Sequence, residues 1–440
     1  MAHAQQTPSF TDHRPPFEFF ATPHLPCISE IVSGFEALGR PPTPFQVSPA
    51  VFDALRFIGA LGVHARTSPS AMLAAMKPFV WNQLIEPWLK ALLIMCLVTT
   101  TETSPTSREA QRDVLWFVPW CMNSFIDIPF EFALSDSTDI PYAVTSQLQY
   151  LLVRAWLEVL GKGHAASDWW SILLLKLNVN HDTDADTDTH TSVGLFDTRT
   201  LGALKLENIP AFRRYLVSMT SRLPSAEDQD LAAFAAFMYL LADIVSRARV
   251  GVLQQDAGRQ EVYDMLVNDT LPLLIRLSTK ILRIMKAGED SPQEEKDECD
   301  GVEAILFCTL FILTRFLDGP CSVYRALTSG LLSAFLKHPH SLPALTPQLQ
   351  YGVYSLFNII SRFMVYPAIV KEFTRAIRNG GTAFNDHMQT VSNRLSFCWQ
   401  DCMAKARYVW AIREDLKAHG TLRRCAVATV GLHKISDCPL

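Results

Sequence analysis

The sequence predicts an all-α fold, and three observations carry the prediction. Apolar residues recur three and four positions apart along most of the chain, the spacing of one helical face. Strict apolar–polar alternation, the mark of a half-buried strand, is missing apart from short ambiguous apolar runs. Starts and stops are written in as N-cap residues followed by proline, and as Gly–Pro and His–Pro turns. About fourteen helices with short connections cannot share one bundle axis, so consecutive hairpins are expected to stack. The reading is an irregular armadillo- or HEAT-like helical solenoid, with a compact multi-helix bundle as the alternative, because no clean internal repeat is present.

The elements follow in order. Residues 1–47 hold eight prolines and read as an extended N-terminal segment. Helix begins at Ser48-Pro49, with Val51, Leu55, Ile58 and Leu61 on one stripe. Ser68-Pro69 repeats that start, and Pro78 and Pro87 are expected to cut the next apolar run. Thr106 and Glu109 form a capping box for a helix that Pro119 interrupts. Val144, Leu148, Leu151, Ala155 and Val159 define a helix between Pro141 and Leu160, with Gly161 as its C-cap. Ser225 and Asp228 open a long helix striped by Leu231, Ala235, Met238, Ala242 and Val245. Further helices are expected at about 259–270, 272–287, 301–318, 321–337, 347–365, 367–378 and 384–418. Turns at Asp318-Gly319-Pro320, His338-Pro339 and Asn379-Gly380-Gly381 punctuate them. Residues 48–179 thus form one helical array and 201–418 a second, separated by a polar low-complexity loop at 180–200. An acidic linker, 289–300, with seven carboxylates against one lysine, interrupts the second array, and 419–440 form a tail.

Composition narrows the class. In 440 residues, 39 Lys plus Arg face 44 Asp plus Glu, a net charge of −5, and 49% of residues are hydrophobic. That is too apolar for a disordered chain and lacks the broad positive surface of a dedicated nucleic-acid binder. The N-terminus has no charged start followed by an apolar core, so no secretory signal is expected. Leu89–Val98 and Ala304–Leu317 are shorter than the roughly 20 apolar residues that span a bilayer, and read as core helices. The ten cysteines are scattered, mostly in apolar runs, and read as small core hydrophobes of a reducing compartment. The expectation is a soluble intracellular protein, cytoplasmic or nuclear, with neither membrane nor nucleic acid as partner.

No catalytic, cofactor or metal constellation emerges. A phosphate-binding glycine loop, H-E-x-x-H and G-x-S-x-G are all missing. Asp182, Asp184, Asp186 and Asp188 alternate like calcium-loop ligands, yet no register supplies both the sixth-position glycine and the twelfth-position acid. Arg276, Lys280 and Arg283 share a helix face, readable as a cationic surface for an acidic partner, phosphate or a membrane surface, or as a solvated face. Asp243 and Arg247 have ion-pair spacing. Trp116/Phe117/Trp120, Trp169/Trp170 and Phe397/Trp399 read as helix–helix seams, and the Trp169–Trp170 pair alternatively as pocket lining. His338 and His340 flank a turn proline. Cys398 and Cys402 share a helix face that reads as core. His419, Cys425, His433 and Cys438 are the one run dense in possible zinc ligands, but tetrahedral sites usually use tight pairs such as C-x2-C, and the chain has none.

The final third resembles a known family. "GLLSAFLKHP" (330–339), "FMVYPAIVKEFTRAI" (363–377), a long Trp- and Arg-containing helix and "LRRCA" (422–426) resemble the helical body of fungal MYND-type zinc-finger proteins. The resemblance covers about 330–426. It implies a solenoid-like body followed, in complete members, by a two-zinc module that binds proline-containing peptides. Cys425 and the "CP" at Cys438-Pro439 resemble the opening of such a finger, but nothing follows to complete a site, as in a truncated or degenerate finger. No zinc ligand is assigned. The expected function is therefore a non-enzymatic helical scaffold binding a protein partner. A zinc-binding regulatory protein with a functional tail, zinc arising only if the finger is completed elsewhere, is the first alternative. An enzyme or ligand-binding protein with a helical cavity is the second.

Overall fold

The computed structural model describes residues 25–41, 49–68, 80–97, 114–116, 118–123, 146–162, 166–182, 208–253, 257–288, 299–339, 341–387 and 393–418. The fold is all-α, with no strand among the described residues. The chain divides into two compact units, Met1–Phe212 and Arg213–Leu440.

The first unit opens with a helix inside the segment expected to be extended. Helix α1 (Ile28–Leu38) starts where the Glu30 carboxylate accepts the Cys27 backbone N–H at 2.8 Å. Ile31 and Phe35, four apart, are fully buried, and the Phe35 ring lies 5.5 Å from Phe57 of α2 (Pro49–Thr67). Eleven residues are too few for a stable isolated helix, so packing on α2 decides the outcome over the surrounding prolines. Gly34 makes that approach possible, since a Cβ there would fall 2.3 Å from the Phe57 ring. Pro87 does not cut its run either. A π turn, Val80–Ile85, passes directly into α3 (Glu86–Leu97), and Pro87 sits in the first α turn, where its missing donor costs least. Helix α3 packs on α4 (Ser146–Lys162), and α4 on α5 (Ser167–Asp182). Gly161 stays inside α4 instead of capping it, and α5 carries helix through residue 182, past the expected start of the polar loop. The Thr106–Glu109 capping box lies outside the described residues.

The unit boundary falls inside α6 (Ile209–Arg222). Beyond it run α7 (Asp228–Leu253), α8 (Ala257–Gly288), α9 (Cys299–Phe316), α10 (Pro320–Thr328), α11 (Leu331–Leu336), α12 (Ser341–Ala344), α13 (Pro347–Arg362), α14 (Pro367–His387) and α15 (Asn393–Ala418). Their packing alternates: α7 lies against α9, α9 against α13, and α13 against α15, while α8 contacts α10, α11 and α12, and α14 contacts α10, α11 and α15. Helices α7 and α9 also rest on α8. The second unit's core therefore lies between a row α7–α9–α13–α15 and the helices beneath it.

The second unit departs from expectation at five points. Pro272 was expected to separate two helices, yet α8 runs through it, its flanks held by the buried Leu271, Leu274 and Ile275. The expected helix 321–337 is broken at Gly330, whose φ of 94° is the left-handed conformation a helix cannot continue through. Asn379-Gly380-Gly381 does not punctuate, because α14 continues to His387, and the last helix starts at Asn393 instead of 384. Ser225 does not cap α7; it lies in a 3-10 turn, where its hydroxyl donates to the Arg222 carbonyl at 3.2 Å. Asp228–Val250 of α7 is long and apolar enough to cross a membrane by length and composition, and 67% of its most apolar stretch is buried within the fold.

Candidate functional site

Most residues singled out in the sequence serve the core. Trp170 is fully buried and its indole N–H donates to the Leu115 carbonyl at 2.9 Å. The Asn123 amide donates to the Trp169 carbonyl at 3.1 Å, so the pair is anchored through the Trp169 backbone and the Trp170 ring. Trp120 is buried beneath the Arg66 guanidinium, 4.7 Å from its ring centre. Trp399 lies 5.6 Å from both Phe357 and Phe373, closing the seam among α13, α14 and α15. Its expected companion Phe397 does not join that seam; it is exposed.

The charged candidates divide similarly. Arg247 Nε donates to Asp243 Oδ1 at 2.8 Å, the expected ion pair. Of the cationic face on α8, Arg276 and Arg283 are exposed, but Lys280 is engaged. Its ammonium donates to the carbonyls of Thr220 and Ser221, the latter at 3.0 Å, and so satisfies the C-terminus of α6. Desolvation first, then the Arg283 charge, holds the Lys280 ammonium below its usual range. The face is thus two cations and a helix cap.

Cys398 and Cys402 are buried on one face of α15, and their thiols donate to the carbonyls of Tyr354 at 3.9 Å and Phe357 at 3.4 Å. The hydrogen bond with Cys402 lowers the Cys398 thiol, while the same bond, followed by burial, raises the Cys402 thiol. Burial raises the Cys308 thiol to about 12. Two described cysteines depart from the expected core thiols: Cys27 is an exposed free thiol, and Cys321, at the start of α10, is disulfide-bonded.

No group of three His, Cys, Asp or Glu side chains suited to a metal occurs among the described residues. Asp182 ends α5, while Asp184, Asp186, Asp188, His340, His419, Cys425, His433 and Cys438 lie outside the described residues.

What sequence reasoning missed is a row of exposed rings. Tyr239 on α7, Phe307 on α9, Tyr351 on α13 and Phe397 on α15 are 48%, 42%, 58% and 73% exposed. Each follows a buried residue by two positions: Phe237, Ile305, Leu349 and Leu395. Two positions turn a helix by about 200°, so each ring points away from the core its own helix builds. The four helices carrying them are the four that pack in one row. The signal was present as a repeated spacing, but α7 and α9 are apolar nearly all round, and only the neighbours reveal which side is left open.

Comparison with protein-family models, curated proteins and solved structures gives no match.

Proposed function

We propose that this chain is a helical scaffold that binds another protein and performs no chemistry of its own. The observation that carries the reading is the row of four exposed aromatic side chains on consecutive neighbouring helices. Large rings are costly to leave in water, and they dominate the energetics of protein interfaces. Isolated exposed apolar residues need no explanation, whereas a row repeated helix by helix does. The alternation of helix partners in the second unit supports the stacked-hairpin form of the fold, whose characteristic use is an extended binding surface. On the sequence resemblance of residues 330–426 we also read this body as that of a MYND-type protein.

The test is proximity crosslinking of the tagged full chain in its native cells, followed by identification of captured proteins. A reproducible partner is expected. Capture no different from a tag-only control would remove the scaffold reading.

A further inference from the structure

We infer that the row Tyr239–Phe307–Tyr351–Phe397 is a docking track for a disordered acidic segment of a partner protein. The segment would lie across the helices in polyproline II conformation with an apolar side chain at every third position. This rests on the scaffold reading and names its site and the partner's chemistry.

The register comes from contacts between neighbours. Leu231 in the first turns of α7 faces Gly301 near the start of α9, where a Cβ would lie 3.0 Å from the leucine Cβ. Two helices that pack together from their first turns run parallel. Tyr239 lies eight positions beyond Leu231 and Phe307 six beyond Gly301, a difference of about 3 Å along the axis at ~1.5 Å per residue. Gly352 of α13 faces Leu310 of α9, with a Cβ position 3.0 Å from the leucine Cδ1. That places Tyr351 within about 6 Å of the level of Phe307. Cys398, Cys402 and Lys405 of α15 bond to Tyr354, Phe357 and Ser361 of α13 in rising order, which makes this pair parallel too. Phe397 then lies about 3 Å from the level of Tyr351. The rings therefore form a band across the helices.

Neighbouring helix axes are about 8–10 Å apart. A polyproline II chain advances about 9.3 Å per three-residue turn and brings every third side chain to the same side, one per ring. Strands do not fit this spacing, since side chains three apart point to opposite faces.

Charge selects the partner. Further along the helices stand Arg247, Arg315 and Lys405, about two turns beyond the rings of α7, α9 and α15, and Arg362, about three turns beyond the ring of α13. Asp243 pairs with Arg247 at 2.8 Å and Asp401 with Lys405 at 2.7 Å. Arg315 stacks on Phe311 at 4.9 Å, and among the described residues neither it nor Arg362 has a carboxylate within ion-pair reach. The two middle helices thus offer unneutralised guanidinium groups, which bind carboxylates in two-pronged fashion.

The probe is a fluorescein-labelled dodecapeptide of four Glu-Asp-Leu triplets, titrated with the full chain by fluorescence anisotropy. A Lys-Arg-Leu dodecapeptide is the control. The acidic peptide is expected to bind saturably and the basic one not to bind. Tyr351→Ser with Phe397→Ser should weaken binding about tenfold. Arg362→Glu should weaken it about fivefold and flatten its salt dependence. Val365→Ser, an exposed apolar residue off the row, should change nothing. If circular dichroism showed the double variant to have lost helix, Arg362→Glu would decide alone. Equal binding of both peptides, or equal effects of row and off-row substitutions, would overturn the inference. So would a dimer of the chain that the row substitutions dissolve, since the band would then be a self-interface. A crosslinked partner whose capture the double variant leaves unchanged would sink the track and spare the scaffold; an empty survey would sink both.

Discussion

Trp170 shows how one buried polar atom constrains a helical core. Its indole N–H is the donor for the Leu115 carbonyl at 2.9 Å, deep in the first unit. Trp170→Phe keeps an aromatic ring but leaves that carbonyl without its partner, at a cost of roughly 1–3 kcal/mol. The urea midpoint should fall with an unchanged slope; an unshifted midpoint would mean that water or another donor replaces the indole. Asp401 sets the opposite limit. The hydrogen bond from Lys405 first, then that from Ser361, holds its carboxyl below the ordinary value of 3.8. A depressed carboxylate contributes stability that is fully present above about pH 4 and is lost as pH falls through the lowered value. Both side chains are more than a third exposed, so screening limits the contribution to a few tenths of a kcal/mol. Thermal melts of Asp401→Asn should lie slightly below those of the parent at pH 7 and converge with them near pH 2.

At the scale of elements, two residues test what overrides local preference. Pro272 interrupts the hydrogen-bond ladder of α8 without ending the helix. A helix-interior proline costs about 3 kcal/mol relative to alanine, partly offset by its stiffening of the unfolded chain. Pro272→Ala should therefore raise stability by about 1 kcal/mol or more; a lower melting temperature would show that the ring's packing outweighs the missing bond. Gly330, at φ 94° with nothing within 4 Å of a Cβ position, is a purely conformational break. Gly330→Ala should cost about 1–2 kcal/mol in chemical denaturation. Such residues mark the limit of what the chain discloses by itself. Helices α9 and α13 start within about two positions of expectation because their apolar stripes are regular. Helix α1 was hidden because its two core residues, Ile31 and Phe35, matter only once Phe57 faces them. Pro272 and the glycines at 380 and 381 misled for the same reason: their penalties are a few kcal/mol, less than a long helix recovers by packing.

For the molecule as a whole, the candidate surface was less legible than the fold. A spacing of buried residue, one residue and aromatic occurs in α7, α9, α13 and α15, but in apolar helices it acquires meaning only when packing leaves one side uncovered. The sequence drew attention instead to charges and thiols, and the structure places Lys280 on a helix end and Cys398 and Cys402 on carbonyls of α13. Each unit carries its own dense apolar core, from Trp81, Trp88, Trp156 and Trp170 in the first to Phe234, Phe316, Phe335 and Phe357 in the second. Cores of this kind hold helices without a metal. A stoichiometric zinc site present at a hundred times its dissociation constant would add about 2.7 kcal/mol to the folded state. Its removal would lower the melting temperature by several degrees. Incubation of the full chain with a strong chelator is therefore expected to leave the melting temperature unchanged within about 1 °C, with less than one zinc per chain by elemental analysis. A marked fall restored by added zinc would transfer the functional weight from the row of rings to a metal-binding tail.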